Sequence, residues 1–230
     1  REPQGWRLAF GDGSSSRYEA VVVCNGLLGV PQIPRYPGTF SGISLHARDY
    51  RSTEQLRGKR VLVVGGGNSG CDIAVDAAQS AAGALHSTRR GYHYMPKFID
   101  GQPTQEWLMD QAPKFSDDDA YWEHVQRSFK FAGFDGRDYG LPAPDHSIRE
   151  CHPILNSQIL YYLGHGDLHA RPDIERFDGQ QVHFTDGSVE TIDLIVWATG
   201  YGIDLPFLPT EIFDWQRDFE DLERDVDYLY

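Results

Sequence analysis

Short apolar runs alternate with clusters of glycine, proline, aspartate and asparagine along most of the chain. Short runs bounded by turn residues are typical of buried strands. They predict strands at residues 6–10, 18–24, 60–64, 83–88, 168–170, 174–177, 181–185 and 192–198. The Asp-Gly turns that follow 6–10 and 174–177 tolerate positive φ, so they predict a hairpin at both places.

Three segments show a helical pattern. Residues 71–82 predict a helix that follows the strand at 60–64 and the glycine-rich segment 65–70. Residues 154–163 predict a helix closed by Gly164, because glycine commonly ends helices. Residues 117–132 predict an amphipathic helix, and the aromatic-rich remainder of 91–150 predicts loops and short helices.

Two similar β-units lie towards opposite ends of the chain. Residues 6–26 and residues 168–201 each combine short strands, an Asp-Gly turn, a buried apolar strand and an exit that contains glycine. They flank one strand–glycine–helix unit at 60–82. This order predicts an α/β fold with two nucleotide-binding lobes, one inserted into the other.

Composition and charge narrow the classes of partner. A chain of 230 residues with 40% hydrophobic and 24% charged residues is typical of a soluble globular protein. The formal net charge of −13 argues against nucleic acid or an anionic membrane as a partner. The sequence has no apolar run near the roughly 18 residues that span a bilayer. Any positive charge that binds an anionic ligand must therefore be local.

The cysteines and the N-terminus indicate the compartment. Cys24, Cys71 and Cys151 are scattered and form no CxxC pair, which argues against a disulfide framework or a zinc site. The N-terminal residues do not form a signal peptide, so a cytoplasmic location is predicted. Since the sequence does not start with methionine, we expect it to begin inside a larger protein.

The clearest local motif is G-x-G-x-x-G at residues 65–70, placed directly after a predicted strand and opening a predicted helix. In this context the first glycine allows a tight turn and the second lets the backbone approach a pyrophosphate. The third lets helix and strand pack closely, and the helix N-terminus faces the diphosphate. The cofactor-binding residues predicted here are Gly65, Gly67, Asn68, Ser69 and Gly70.

The end of the strand predicted at 83–88, which is the second strand of the predicted nucleotide-binding unit, distinguishes NAD sites from NADP sites. NAD sites usually place Asp or Glu there, roughly 20 residues after the glycine motif, to hold the ribose 2′-hydroxyl. The segment here is His-Ser-Thr-Arg-Arg at 86–90, with two arginines and no carboxylate. Because guanidinium groups suit phosphate, Ser87, Arg89 and Arg90 are predicted to bind the 2′-phosphate of NADP(H). Two solvated surface arginines are the alternative.

Three further segments carry a family resemblance. Residues 40–50 match the pattern F-x-G-x-x-x-H-x-x-x-Y, which is similar to the fingerprint of flavin-containing monooxygenases; related Baeyer–Villiger enzymes usually end theirs in Trp. Residues 197–201 (WATGY) resemble the A-T-G-Y motif of that family. Residues 23–26, with the prolines that follow, resemble the degenerate A-T-G motif ahead of the fingerprint. With the glycine motif, four motifs occur in the family's order.

The resemblance implies a Rossmann-like FAD/NAD(P)-binding fold, with a parallel sheet flanked by helices and small β-meander elements. It implies an NADPH-binding lobe at 56–166, inserted into an FAD lobe made of 1–55, which includes the fingerprint linker, and 167–230. The glycine motif that holds the FAD diphosphate is expected upstream of Arg1. The FAD lobe is therefore expected to be truncated here, and exposed sheet edges would favour a homo-oligomer.

The activity implied is that of an NADPH- and FAD-dependent monooxygenase. It inserts one atom of O₂ into a small organic substrate by N-, S- or Baeyer–Villiger-type oxygenation, through a flavin C4a-(hydro)peroxide. No side chain here is assigned as a catalytic acid or base, and no metal is expected. His46, Thr199 and Gly200 are implied to lie near the nicotinamide cofactor; for Thr199 an ordinary strand exit is the alternative.

Two other functions stay open at this point. A flavoprotein reductase of the disulfide-oxidoreductase type would also have two dinucleotide lobes, but it needs a redox cysteine pair, which this sequence lacks. A non-catalytic NADPH-binding chain is the second alternative, and these residues alone are expected to be inactive.

Overall fold

The computed structural model describes residues 5–26, 28–150, 153–202, 205–208 and 211. The chain divides into two compact units, one drawn from Arg1–Val30 with Gly202–Tyr230 and the other from Pro31–Tyr201. The helices are α1 (Asn68–Ser80), α2 (Thr104–Gln111), α3 (Asp118–Phe131) and α4 (Gln158–His165). The strands are β1 (Trp6–Ala9), β2 (Ser15–Tyr18), β3 (Val30–Pro31), β4 (Ile43–His46), β5 (Arg60–Val64), β6 (Gly83–Ser87), β7 (Phe98–Ile99), β8 (Gln102–Pro103), β9 (His169–Arg171), β10 (Ile174–Asp178), β11 (Gln181–Phe184), β12 (Val189–Thr191), β13 (Leu194–Trp197) and β14 (Tyr201–Gly202).

The first unit contains the hairpin of β1 and β2. The strands pair antiparallel, and the Asp12 side chain accepts a hydrogen bond from Ser14 N at 2.8 Å in the turn between them. The predicted hairpin is confirmed, but the predicted buried strand at 18–24 is wrong. The second strand ends at Tyr18, and Val22 is 84% exposed. No described strand pairs with 19–24, and an apolar run without a partner strand lacks the ladder that would bury it.

The second unit is built on a five-stranded sheet in the order β4-β13-β5-β6-β9, and every neighbouring pair is parallel. The central strands β5 and β13 are almost wholly buried. Parallel strands covered on both faces carry continuous apolar runs, which is why 60–64 and 192–198 were recognisable. This parallel sheet with flanking helices confirms the predicted fold class.

Each face of the sheet has its own covering layer. Helices α1 and α4 pack on one face, where Ile73, Ala74 and Ile159 enter a core with Val61 and Val63. The antiparallel meander of β10, β11 and β12 belongs to the second core, which contains Leu62, Val64 and Ile195. Strands alternate their side chains between two faces, so β5 contributes to both cores.

The helix predicted at 154–163 is displaced. It begins four residues later, contains Gly164 and ends at His165, and Gly166 caps it with a left-handed φ of 80°. The carbonyl of Ile154, which a helix starting there would need for its first hydrogen bond, instead accepts from Met95 N at 2.8 Å, and Ile154 N donates to the carbonyl of His93 at 2.7 Å. That long-range pairing engages the backbone of the predicted first turn, so the helix starts after it.

The middle of the chain forms a third core around Met95, Val125 and Ile148. The amphipathic helix predicted at 117–132 is confirmed as α3. Asp117 caps it, accepting a hydrogen bond from Ala120 N at 2.8 Å. Among the described residues, no helix combines the length and the apolar character needed to cross a bilayer.

The predicted lobe boundaries differ from the division into compact units. The unit Pro31–Tyr201 extends beyond 56–166 on both sides. Strands β4 and β13, assigned from the sequence to the FAD lobe, pair in the same sheet as β5. Parallel pairing joins distant segments, so it could not be located from local patterns. Which lobe each segment belongs to stays a prediction.

Candidate functional site

The carboxyl ends of β5, β6, β9 and β13 border a cleft of about 700 Å³ in the second unit. Carboxyl ends of parallel strands lie at one edge of a sheet, where open α/β sheets bind their ligands. The residues that line it come from the glycine motif, from the end of β6 and from residues 198–200, with 31–34 on another side. The sequence predicted the first three of these segments.

The glycine motif packs as tightly as its sequence predicted. Gly65 has φ of +118°, and a Cβ there would lie 2.2 Å from the carbonyl oxygen of Ala198. A Cβ on Gly70 would lie 1.9 Å from the carbonyl oxygen of Gly65. Any side chain at either position would therefore collide with backbone.

Gly67 serves a different purpose. It is the residue before the first turn of α1, and a Cβ there would meet nothing within 4 Å. Open space at this position leaves the backbone approachable by a ligand. The first turn of α1 carries no acidic residue, so the free N–H groups at its N-terminus suit an anion.

Asn68 and Ser69 are exposed at the start of α1, and neither is among the residues that line the cleft. Asn68 Oδ1 accepts a hydrogen bond from Leu155 N at 2.9 Å, which ties the glycine loop to the segment before α4. The structure thus shows a tethering contact for Asn68, and the predicted cofactor contact of both residues stays a prediction.

The two arginines after β6 lie on different sides. Arg89 lines the cleft, is exposed, and makes no hydrogen bond or ion pair with any described residue. Arg90 is directed at Asp145, with 3.7 Å between Nε and Oδ1, and at His146. Ser87 lies at the cleft wall, and its hydroxyl donates to the carbonyl of Pro172 at 2.6 Å. Of the two arginines, the structure brings only Arg89 into the cleft.

His46 is the last residue of β4, lies against the segment that follows β13, and is 4% exposed. Its Nδ1 accepts a hydrogen bond from Arg48 N at 3.1 Å, so Nε2 carries the proton. That Nε2 lies 3.1 Å from the carbonyl oxygen of Gly200 and donates to it. The histidine therefore holds the segment that follows β13 in place.

Thr199 and Gly200 form one wall of the cleft. The Thr199 hydroxyl donates to the carbonyl of Gln32, and Gln32 N donates to the carbonyl of Gly200 at 3.1 Å. This reciprocal pairing closes residues 31–34 against the exit of β13. Gln32 was not predicted as a site residue, since nothing local in that glycine- and proline-rich segment indicates its contact.

Tyr36 and Asp173 also line the cleft and were missed. The Tyr36 hydroxyl donates to Asp173 Oδ1 at 2.8 Å. Burial raises the pKa of Tyr36, and the hydrogen bond to Asp173 raises it further. Asp173 lies two residues after β9. Its place at a strand end could have indicated a site residue, but only once β9 was known to neighbour β6.

Tyr92 covers the middle of the glycine loop, where a Cβ on Gly66 would lie 2.2 Å from its ring. Below the loop, His86 is fully buried, and its Nε2 lies 2.9 Å from the carbonyl oxygen of Gly65. Burial lowers the pKa of His86 to about 4, so the ring is neutral and donates to that carbonyl. Both contacts fix the loop, and neither was predicted.

The amino-acid sequence matches the family described as flavin-binding monooxygenase-like over residues 10–222. Flavin-containing monooxygenase 3 of Rattus norvegicus is 33% identical over 209 residues, which are 85% of this chain and 38% of the rat protein. The chain spans about two fifths of the length of the curated relatives it matches.

Solved structures share the fold. The flavin-containing monooxygenase from Stenotrophomonas maltophilia superposes with a TM-score of 0.59 at 22% identity, covering 87% of this chain and 48% of that one. Cyclohexanone monooxygenase with bound ε-caprolactone superposes with a TM-score of 0.66 at 18% identity, covering 86% of this chain and 51% of that one.

Proposed function

The chain belongs to the flavin-binding monooxygenase-like family, and on that premise we propose that it supplies the NADPH-binding cleft of an NADPH- and FAD-dependent monooxygenase. The proposed reaction inserts one atom of O₂ into a small organic substrate at nitrogen, sulfur or a carbonyl-adjacent carbon. The observation that carries this proposal is the glycine loop at the end of β5, with the guanidinium of Arg89 beside it, which pairs with no described residue.

The residues of the cleft fit NADP(H). Gly65 and Gly67 would let the diphosphate reach the N-terminus of α1, since one makes the tight turn and the other leaves open space. Arg89 would bind the 2′-phosphate, because it is a cation that lines the cleft after the end of β6 and pairs with no other described residue. In a chain of net charge −13, such a local cation is needed to attract a polyanion.

When bound, NADPH supplies the hydride that reduces the flavin. This chain's own residues bind and orient the nucleotide. His46 and Gln32 hold Thr199 and Gly200 as a rigid wall, and Tyr92 covers the glycine loop. A fixed wall and a covered loop limit the water that reaches the bound cofactor.

The family is flavin-binding by description, and FAD is the second cofactor of the proposed reaction. We also propose a cytoplasmic location, supported by the free thiols of Cys24 and Cys71, which suit a reducing compartment. Homo-oligomerisation stays a prediction from the sequence.

The proposed cofactor is tested by titrating NADPH and NADH into the full 230-residue chain, with calorimetry as the readout. Arg89→Ala should weaken NADPH binding by about tenfold or more, the scale of one charge-assisted hydrogen bond, and leave NADH binding unchanged. Arg90→Ala is the matched control, since its guanidinium faces Asp145 and His146. Equal losses in both variants, or no preference for NADPH in the wild type, would contradict the assignment.

A further inference from the structure

The cleft holds a carboxylate that the sequence did not place there. Among the described residues that line it, Arg89 is the one cation and Asp173 the one anion. An NADP site gains from the cation and is opposed by the anion, because the 2′-phosphate is itself negative. The pairing of opposite charges in one cleft therefore bears on which dinucleotide it prefers.

Asp173 is held firmly in this position. Its Oδ1 accepts two hydrogen bonds, from the Tyr36 hydroxyl at 2.8 Å and from Ile174 N at 2.9 Å. The Tyr36 ring stacks on Trp197, with 6.2 Å between centroids and 16° between planes. The second carboxylate oxygen, Oδ2, accepts no hydrogen bond from the described part of the chain, so it is free to meet a ligand.

The sheet register places Asp173 beside Arg89. Ser87 of β6 pairs with Arg171 of β9 in the parallel ladder. Arg89 and Asp173 each lie two residues beyond that pair, at the ends of neighbouring strands whose backbones run about 4.8 Å apart. Thr88 N donates to the carbonyl of Arg171 at 3.1 Å, so the two chain segments remain together past the ladder.

We propose that Asp173 is a specificity-determining residue of the dinucleotide cleft, where its carboxylate repels the 2′-phosphate that Arg89 attracts and accepts a hydrogen bond from the ribose 2′-hydroxyl of NADH. In NAD sites the usual partner of that hydroxyl is a carboxylate at the end of the second strand, and here the carboxylate follows β9, the strand that neighbours β6. Asp173 therefore lowers the preference for NADP(H) that Arg89 gives the cleft, although the segment after β6 has no acidic residue. This inference rests on the proposed function, because it assumes that the cleft binds a nicotinamide dinucleotide.

The test compares the full chain with Asp173→Asn, using 2′,5′-ADP and 5′-AMP as probes that differ only in the 2′-phosphate. Removing one negative charge next to that phosphate should tighten 2′,5′-ADP by about five- to tenfold. Binding of 5′-AMP should stay the same or weaken. NADP⁺ and NAD⁺ should show the same change in their ratio of dissociation constants.

Two variants and a salt series separate charge from structure. Asp173→Glu keeps the charge and should keep the wild-type ratio. Asp178→Asn removes a charge at the far end of β10, outside the cleft, and should change nothing; Asn-Gly suits the turn there as well as Asp-Gly does. The effect of Asp173→Asn should shrink between about 0.02 M and 0.3 M salt, since charge repulsion is screened.

The outcomes distinguish a failure of this inference from a failure of the proposed function on which it rests. If wild type binds the probes and Asp173→Asn leaves their ratio unchanged, Asp173 does not set specificity, while the cofactor site stands. An equal gain in affinity for 2′,5′-ADP in Asp178→Asn would also overturn the inference. The gain would then follow from the net charge of the chain and not from the position of Asp173. Failure of every probe and dinucleotide to bind the folded wild-type chain would overturn the proposed function and this inference together.

Discussion

The Nε2 of His46 donates a hydrogen bond to the carbonyl oxygen of Gly200 across 3.1 Å, although the two residues are 154 positions apart. The histidine belongs to the fingerprint segment and the glycine to the A-T-G-Y segment. Two motifs that are far apart in the sequence are thus in direct contact in the structure. The contact fixes the wall of the cleft that Thr199 also lines.

Replacing His46 with alanine should lower the free energy of unfolding by about 1–3 kcal/mol, since two hydrogen bonds and a buried ring are lost. It should also weaken NADP⁺ binding, because residues 199–200 lose their support. Urea denaturation and calorimetry measure the two effects. His169→Ala, at an exposed position on β9, should stay within about 0.5 kcal/mol of wild type. Equal effects of both substitutions would rule out the proposed support.

Replacing Gly67 with alanine should separate binding from folding. A Cβ there meets no atom within 4 Å, so the free energy of unfolding should change by less than about 1 kcal/mol. The methyl group would occupy the space through which a diphosphate approaches α1. NADP⁺ affinity should therefore fall by roughly tenfold or more, as measured by calorimetry. Unchanged affinity would show that the diphosphate does not lie against this residue.

Replacing Gly70 with alanine should instead destabilise the fold. Its Cβ would lie 1.9 Å from the carbonyl oxygen of Gly65, which is backbone and cannot rotate away. Helix α1 must move off β5, at a cost of about 3 kcal/mol in the free energy of unfolding. Thermal and urea unfolding measure that cost. A stability equal to that of the Gly67 variant would mean that the loop has more room than the structure shows.

His86 should make the stability depend on pH. Burial lowers its pKa in the folded state to about 4, below the roughly 6.5 of an unfolded chain. The unfolded state therefore takes up the proton first as pH falls, and stability is lost between about pH 6.5 and pH 4. Between about pH 7.5 and pH 5, this one group should remove about 2 kcal/mol from the free energy of unfolding.

His86→Gln supplies the comparison, because an amide can still donate to the Gly65 carbonyl but does not titrate. Urea denaturation at both pH values gives the loss for each protein. The variant should lose about 2 kcal/mol less than wild type over this interval, whatever the carboxylates contribute. Equal losses in the two proteins would show that His86 is charged, or exposed to water, in the folded state.

Local patterns accounted for much of the fold. Residues 60–64 and 192–198 were recognisable as strands because both faces of a central parallel strand are buried, so the side chains of 61–64 and 194–197 are all apolar. The run at 18–24 is apolar too, yet it forms no strand beyond Tyr18. A strand also needs a partner ladder, and an apolar run does not reveal whether one is present.

The sequence by itself determined the α/β class, the glycine loop at 65–70 and the basic character of residues 89–90, which follow the strand predicted at 83–88. These depend on residues close together in the chain, where spacing and residue type are sufficient. The tertiary structure alone decided that Arg89 lines the cleft while Arg90 faces Asp145, and that Asp173 lines the same cleft as Arg89. Consecutive residues of an extended segment point to opposite sides, and the neighbours of a parallel strand are set by crossovers, so both outcomes depend on contacts between distant segments.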